Sequence, residues 1–199
     1  MKRGLSRFIP IIFLIVVFVL IIAAGVSVVR LFTGNDNGPT QEVVKEEARR
    51  FGLLNTNADR SVLMRLRGNI VGDEDFRTYT VQVSPEQRQF TRYKGYLEKP
   101  LVDKTYSNNV EAYDQFVNAL AAANFATGTP LTGSDDDTRG LCATGVLYEF
   151  EIRSGENVEK RFWTTTCRGS NGSLKANADQ LRALFLKQVP EAEQYIGKD

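Results

Sequence analysis

An uncharged apolar run near the N-terminus constrains this chain more than any other feature of its sequence. From Phe8 to Val29 it reads FIPIIFLIVVFVLIIAAGVSVV, 22 residues without a charged side chain. A helix of this length spans about 33 Å, which matches a bilayer hydrocarbon core of about 30 Å. We therefore expect residues 8–29 to form a transmembrane signal anchor, with the lipid bilayer as its partner.

The charges that flank this run predict its orientation. Lys2, Arg3 and Arg7 precede it and only Arg30 follows closely, so the positive-inside rule keeps residues 1–7 in the cytoplasm. Residues 30–40 then form a polar linker, and residues 41–199 form a domain on the outer side of the cytoplasmic membrane. Removal of the run as a signal peptide at Ala23-Ala24-Gly25 is the alternative, but its apolar length exceeds that of an ordinary signal peptide.

Composition excludes several classes of function. The chain has no histidine and only two cysteines, which excludes His-based triads, HExxH zinc sites and four-cysteine metal centres. Four of the 25 basic residues and none of the 24 acidic ones precede Gly34, so the exported region is slightly acidic. Such a region binds nucleic acid poorly, because that affinity comes from neutralising many phosphates. We expect no cofactor, no metal and no nucleic-acid partner.

The order of predicted elements after the linker indicates an α+β fold. Period-two alternation marks strands, and apolar residues at helical spacing mark helices. Asn108, with Glu111 three residues later, has the spacing of a capping box. We expect an antiparallel sheet of about five strands with helices packed on one face. The predicted elements are helices at Gln41–Phe51, Asn109–Phe125 and Ala176–Val189, and strands at Ser61–Arg67, Phe76–Ser84, Gln87–Tyr93, Gly145–Arg153 and Asn157–Thr166.

The last two predicted strands suggest a hairpin that brings both cysteines together. With a two-residue turn at Ser154-Gly155, paired residue numbers sum to 309, which places Cys142 opposite Cys167. A disulfide there suits an oxidising compartment. The apolar faces match better after a shift of one residue, and a bulge or a three-residue loop reconciles the two registers. The unshifted register pairs Glu149 with Lys160 and Leu147 with Phe162.

Arginines on the predicted strands suggest a binding face. If these side chains share one face of the sheet, that face suits an anionic polymer, a lipid headgroup or an acidic partner. Ordinary solvated strand positions are the competing interpretation. The arginines concerned are Arg65, Arg67, Arg88, Arg92 and Arg161.

Two further motifs carry weaker chemical signals. The run Asp135-Asp136-Asp137 lacks the spacing of a calcium loop, so we expect a solvated acidic loop rather than a cation site. Ser173 and Lys175 are close in sequence, as a Ser/Lys hydrolase requires, but nothing in their surroundings identifies a catalytic base. We therefore assign no catalytic residue.

A block of sequence in the last third of the chain resembles a group of bacterial proteins. The segments DDTRGLCATGVLYEFEI, RFWTTTC and GSLKA resemble uncharacterised exported, single-anchor proteins of reduced-genome bacteria of the Saccharibacteria type. The resemblance spans most of residues 53–189. It implies a bacterial, envelope-facing setting and carries no functional residues over to this chain.

These observations together predict a binding protein of the envelope rather than an enzyme. The expected function is a membrane-anchored, extracytoplasmic binding or scaffolding domain whose partner is an envelope protein or polymer. The alternative is a His-independent envelope hydrolase of the Ser/Lys or carboxylate-pair type.

Overall fold

The computed structural model of the chain describes residues 41–170 and 172–197. The predicted basic N-terminus, signal anchor and linker (residues 1–40) lie outside the described residues. Within the described part, no helix has both the length and the apolar character that crossing a membrane requires.

The described chain alternates between a group of strands and a group of helices. Four α-helices and six β-strands are found in residues 41–170 and 172–197, together with a 3-10 turn at Gly133–Asp136. In chain order they are α1 (Gln41–Arg50), β1 (Arg60–Arg67), β2 (Arg77–Val83), β3 (Gln87–Lys94), β4 (Lys99–Ser107), α2 (Val110–Ala122), β5 (Leu147–Ser154), β6 (Asn157–Thr165), α3 (Ala178–Leu186) and α4 (Ala192–Ile196).

The six strands form one antiparallel sheet in the order β4-β3-β2-β1-β5-β6. Strands β1 to β4 follow one another as a meander, and the β5–β6 hairpin then adds to the free side of β1. The predicted α+β fold is confirmed, with six strands in place of about five. Because β1 lies between β2 and β5, its backbone is hydrogen-bonded along both edges.

One face of the sheet carries the main core. Alternating residues such as Met64, Val81 and Phe150 are fully buried on this face, as period-two patterning requires. The helices cover it through aromatic side chains: Phe125 and Phe185 lie with ring centroids 5.8 and 6.0 Å from that of Phe150. We call this the helix face, and the opposite face of the sheet the outer face.

Helix α2 begins one residue later than the capping-box spacing predicted. Asn109, not Asn108, is the N-cap, and its side chain accepts a hydrogen bond from the backbone N–H of Ala112 at 2.9 Å. The Asn108 side chain instead donates to the carbonyl of Ser84 at 2.6 Å, which ties the start of α2 to the β2–β3 turn. The helix ends before Asn124, whose φ of 63° is incompatible with its continuation.

The β5–β6 hairpin pairs in a different register from the one predicted. The turn is at Gly155 and Glu156, and Phe150 lies opposite Phe162. A bulge leaves Glu159 unpaired, since Val158 pairs with Arg153 and Lys160 with Ile152. The expected register was therefore wrong: the turn lies one residue later than predicted, and a bulge, one of the two irregularities considered for aligning the apolar faces, shifts the pairing further. The corrected pairs are Glu149 with Trp163, in place of Lys160, and Leu147 with Thr165, in place of Phe162.

The disulfide predicted from the hairpin is present despite the different register. Cys142 and Cys167 are bonded, with Cα atoms 5.3 Å apart. Cys142 precedes β5 and Cys167 follows β6, so the bond joins the open end of the hairpin. A Cβ on Gly145 would lie 2.7 Å from the Sγ of Cys142 and 3.1 Å from that of Cys167. The absence of a side chain at Gly145 therefore leaves room for the disulfide.

Candidate functional site

The structure divides the five arginines that were expected to share one face. Arg88 lies opposite Val83, and Arg92 lies opposite Tyr79, so both arginines are on the helix face. Arg88 donates to the carbonyl of Gln188 at 3.1 Å, beside the C-terminal helices. A single face of five arginines was therefore the wrong expectation, because the alternation of β3 places its two arginines on the side opposite to those of β1.

The other three arginines are on the outer face. Arg65 and Arg67 alternate along β1 with residues of the helix face, and Arg161 projects from β6. The outer face is not fully solvated, because the loop that precedes β5 covers part of it. From this loop, the carbonyl of Thr138 accepts a hydrogen bond from Arg67 at 2.5 Å, and Asp136 pairs with Arg161 at 2.9 Å.

A pocket of about 280 Å³ opens on the outer face around the two arginines of β1. Strand β1 supplies the arginines, the segments that flank β2 and β4 supply the walls, and the loop before β5 closes one side. We call it the arginine pocket; its lining includes Arg65, Arg67, Ile70, Phe76, Thr78, Tyr96, Glu98, Arg139 and Glu149.

An aromatic pair forms one wall of the arginine pocket. The rings of Phe76 and Tyr96 stack with centroids 4.1 Å apart and planes inclined by 14°. The backbone N–H of Tyr96 donates to Asp73 at 2.8 Å, and its hydroxyl donates to the carbonyl of Val71 at 2.8 Å. These bonds hold the β3–β4 turn against the β1–β2 loop, so the wall is preorganised.

Among the described residues, each arginine around the pocket forms an ion pair with a carboxylate, except Arg67. Arg65 pairs with Glu98, and Arg161 pairs with Glu149 and Asp136. Arg67 donates only to the neutral carbonyl of Thr138, and no carboxylate within the described residues forms an ion pair with it. A guanidinium is always charged at physiological pH. Arg67 therefore presents to the pocket a positive charge that is not paired with a carboxylate of the described residues.

The acidic run before β5 has a structural role that sequence reasoning missed. Asp136 accepts from the Trp163 indole N–H at 3.1 Å as well as from Arg161, and so anchors the loop to the outer face. Asp137 pairs with Arg139 at 2.5 Å, and hydrogen bonds from that guanidinium hold the pKa of Asp137 well below its usual range. Asp135 remains exposed. No local sequence motif links a loop aspartate to an arginine 25 residues later. The contact between Asp136 and Arg161 could therefore not be predicted from the sequence.

The side chains considered for a hydrolase site differ in exposure or are paired with arginines. Ser173 is buried and accepts a hydrogen bond from the backbone N–H of Trp163 at 3.1 Å, whereas Lys175 is exposed. The two carboxylates in the pocket, Glu98 and Glu149, each accept from an arginine. Among the described residues, no group of three or more acidic or cysteine side chains is placed to hold a metal ion.

Comparison with known proteins adds no assignment to this geometry. No protein-family model matches the chain, and no curated protein matches it.

Proposed function

We propose that the chain is a membrane-anchored, extracytoplasmic binding domain of the bacterial cell envelope, and that it is not a catalyst. Its ligand site is the arginine pocket, and its ligand is an anionic group of an envelope protein or polymer. The observation that carries the binding role is the charge of Arg67, which lines the pocket and forms no ion pair with a carboxylate in the part of the chain that the structure describes. Arg67 is only half-buried, so its remaining N–H groups are accessible to an anionic ligand.

The envelope location rests on three supporting observations. The disulfide between Cys142 and Cys167 suits an oxidising compartment. The uncharged run at residues 8–29 has the length of a membrane anchor, and the basic residues before it favour a cytoplasmic N-terminus. The resemblance to exported, single-anchor bacterial proteins agrees with the same setting. The bilayer is then a partner through residues 8–29, and nucleic acid is not a partner.

Thiol labelling in native membranes tests the location. Membranes are treated with maleimide-PEG before and after reduction, and the labelled chain is followed by its gel shift. We expect both cysteines to label only after reduction, and the full-length protein to stay in the membrane pellet. Free labelling without reductant would contradict an oxidising outer location, and recovery of a shortened soluble chain would contradict the anchor.

Thermal stability of the purified full-length chain in detergent tests the binding role. A ligand that binds only the folded state raises the melting temperature with its concentration. The panel consists of inorganic phosphate, acetate, polyglutamate and N-acetylated peptides. We expect at least one anion to stabilise the wild type but not Arg67→Gln. Arg49→Gln removes the same charge from an exposed position on α1 and is the matched control. If no anion distinguishes the two variants, the proposed site is wrong.

A further inference from the structure

A second unpaired group lies beside Arg67 in the arginine pocket. Thr78 lines the pocket and is 2% exposed, yet its hydroxyl has no hydrogen-bond partner among the described residues. Thr78 on β2 is directly opposite Arg67 on β1, so both side chains are on the outer face at the same level of the sheet. Buried hydroxyls are almost always paired, and an exception calls for an explanation. The hydroxyl itself has almost no accessible surface, so a rotation of the Thr78 side chain would bring it to a ligand atom in the pocket.

The Thr78 hydroxyl and the remaining N–H groups of Arg67 suit a carboxylate. The guanidinium of Arg67 donates one N–H to Thr138 and keeps others free in a planar fork, which matches two carboxylate oxygens. A threonine hydroxyl adds a further donor to an oxygen on the same side. A carboxylate held this way would pair the Thr78 hydroxyl and those N–H groups of Arg67 that have no partner among the described residues.

The walls of the pocket suit an apolar group attached to that carboxylate. The stacked ring of Tyr96 and the side chain of Ile70 line the opening and remain 48% and 42% exposed. Leu97, next to Tyr96 in the same turn, is 95% exposed. Large apolar side chains grouped beside a charged pocket are typical of a binding surface. They would bury an aliphatic or aromatic substituent of the ligand.

The rim disfavours ligands that carry many negative charges. The β1–β2 loop that supplies Ile70 and Phe76 also carries Asp73, Glu74 and Asp75. Asp73 lies against the backbone of Tyr96, at the edge of the pocket. A polyanion would bring further charges towards these carboxylates, and like charges repel over this range. The volume of about 280 Å³ is also just below the range of about 300–1,000 Å³ that is usual for small-molecule sites.

We propose that the arginine pocket binds a free α-carboxylate that bears an apolar side chain, with Arg67 and Thr78 holding the carboxylate and the Phe76–Tyr96 wall holding the side chain. A peptide C-terminus and a free N-acylated amino acid both present this chemistry. The proposal rests on the proposed function, since it specifies the ligand of the same pocket.

Calorimetric titration of the full-length chain in detergent micelles tests the proposal. The probes are N-acetyl-Ala-Leu, its C-terminal amide, N-acetyl-leucine and inorganic phosphate. We expect the dipeptide acid to bind and the amide to bind at least about tenfold more weakly, because the amide lacks the charge. Arg67→Gln should lose about tenfold or more in affinity and Thr78→Val about threefold to tenfold, whereas Arg49→Gln should bind as the wild type does.

The outcomes separate this inference from the function on which it rests. Equal binding of acid and amide, or full affinity in Thr78→Val, would overturn the carboxylate assignment. Binding of phosphate alone, dependent on Arg67, would overturn it and leave the anion-binding function standing. A failure of all probes in the wild type would count against both. If N-acetyl-leucine binds as tightly as the dipeptide, the proposal is supported and the ligand is a free amino-acid derivative. If the dipeptide binds more tightly, the proposal is supported and the ligand is the C-terminus of a peptide.

Discussion

Arg60 and Glu159 form an ion pair across the sheet, although β5 separates their strands. The guanidinium Nη1 of Arg60 lies 2.6 Å from Oε1 of Glu159, and its Nη2 donates to the carbonyl of Gly52 at 3.0 Å. Glu159 is the residue that the bulge in β6 leaves unpaired. A bulge redirects a side chain from its regular position. The same irregularity thus explains the hairpin register and the partner of a buried arginine.

Replacing Glu159 should destabilise the domain. In Glu159→Gln the 6% exposed Arg60 side chain keeps its charge and loses its carboxylate. We expect a loss of about 1–2 kcal/mol in the free energy of unfolding, since a charged hydrogen bond is removed at a site that is partly open to water. Urea denaturation measures it, with Glu156→Gln in the exposed hairpin turn as the control. An equal effect of both variants would refute the structural role of the pair.

The same pair predicts the direction of a pH effect. The hydrogen bond from Arg60 lowers the pKa of Glu159. Its stabilising contribution is therefore complete above the usual pKa of glutamate, about 4.3, and is lost as the pH falls through the lowered value. The difference in stability between wild type and Glu159→Gln should shrink in acid. A difference that stays constant from neutral pH to pH 3 would contradict this assignment.

Removing the disulfide should cost more than any single polar contact. The bond closes a loop with a sequence separation of 25, for which the chain-entropy relation gives about 3.5 kcal/mol. We expect the double variant Cys142→Ser, Cys167→Ser to unfold at a lower urea concentration than the oxidised wild type. Reduced wild type is the matched control and should behave like the variant. A reduced form as stable as the oxidised one would show that the cross-link does not stabilise this fold.

The sequence predicted five of the six strands to within two residues and missed β4. Strands β1 and β2 were predicted nearly to the residue, because Val62, Met64, Val81 and Val83 have the strict period of a half-buried strand. Strand β4 was missed: Lys99–Ser107 reads KPLVDKTYS, and most of its residues are exposed. An edge strand open to solvent carries no apolar period, and its proline argues against a strand. Strand β4 is defined by its backbone pairing with β3 and not by a pattern in its own sequence.

The site was predictable only in part, for a reason of geometry. Alternation along one strand correctly grouped Arg65 with Arg67. Whether Arg88 and Arg92 share that face depends on the register between strands, which turns and bulges decide and which sequence periodicity does not show. Thr78 carried no signal at all, because an alternating threonine in a strand is ordinary until its lack of a partner is seen.

The unpaired hydroxyl of Thr78 should lower the stability of the free protein. We expect Thr78→Val to raise the free energy of unfolding by about 1 kcal/mol, because it replaces a buried polar group that has no partner. The matched control is Thr91→Val, since Thr91 is also buried but its hydroxyl donates to Asp103 at 3.3 Å. That variant should lose stability. Destabilisation of the same size in both variants would show that the Thr78 hydroxyl is paired after all.

Glu151 on the outer face should oppose folding as the pH rises. Burial raises its pKa, and the nearby arginines Arg153 and Arg65 only partly offset this. The native state then holds the proton more tightly than the unfolded chain, so stability falls as the pH rises from about 4.3 through the raised value. Relative to wild type, Glu151→Gln should therefore gain stability across this range. Urea denaturation at several pH values measures this gain, with Glu86→Gln at an exposed position as the control. A gain in stability that does not depend on pH would contradict a raised pKa of Glu151 as its cause.

The most direct test of the binding account is a double-mutant cycle on ligand affinity at Arg67 and Thr78. Arg67→Lys keeps the charge but loses the planar fork, so we expect binding of N-acetyl-Ala-Leu to stay measurable by calorimetry. If both side chains hold one carboxylate, the two substitutions should couple: Thr78→Val should weaken binding severalfold in the wild type and much less in Arg67→Lys. Independent, additive losses, or no loss in either single variant, would contradict a shared carboxylate site.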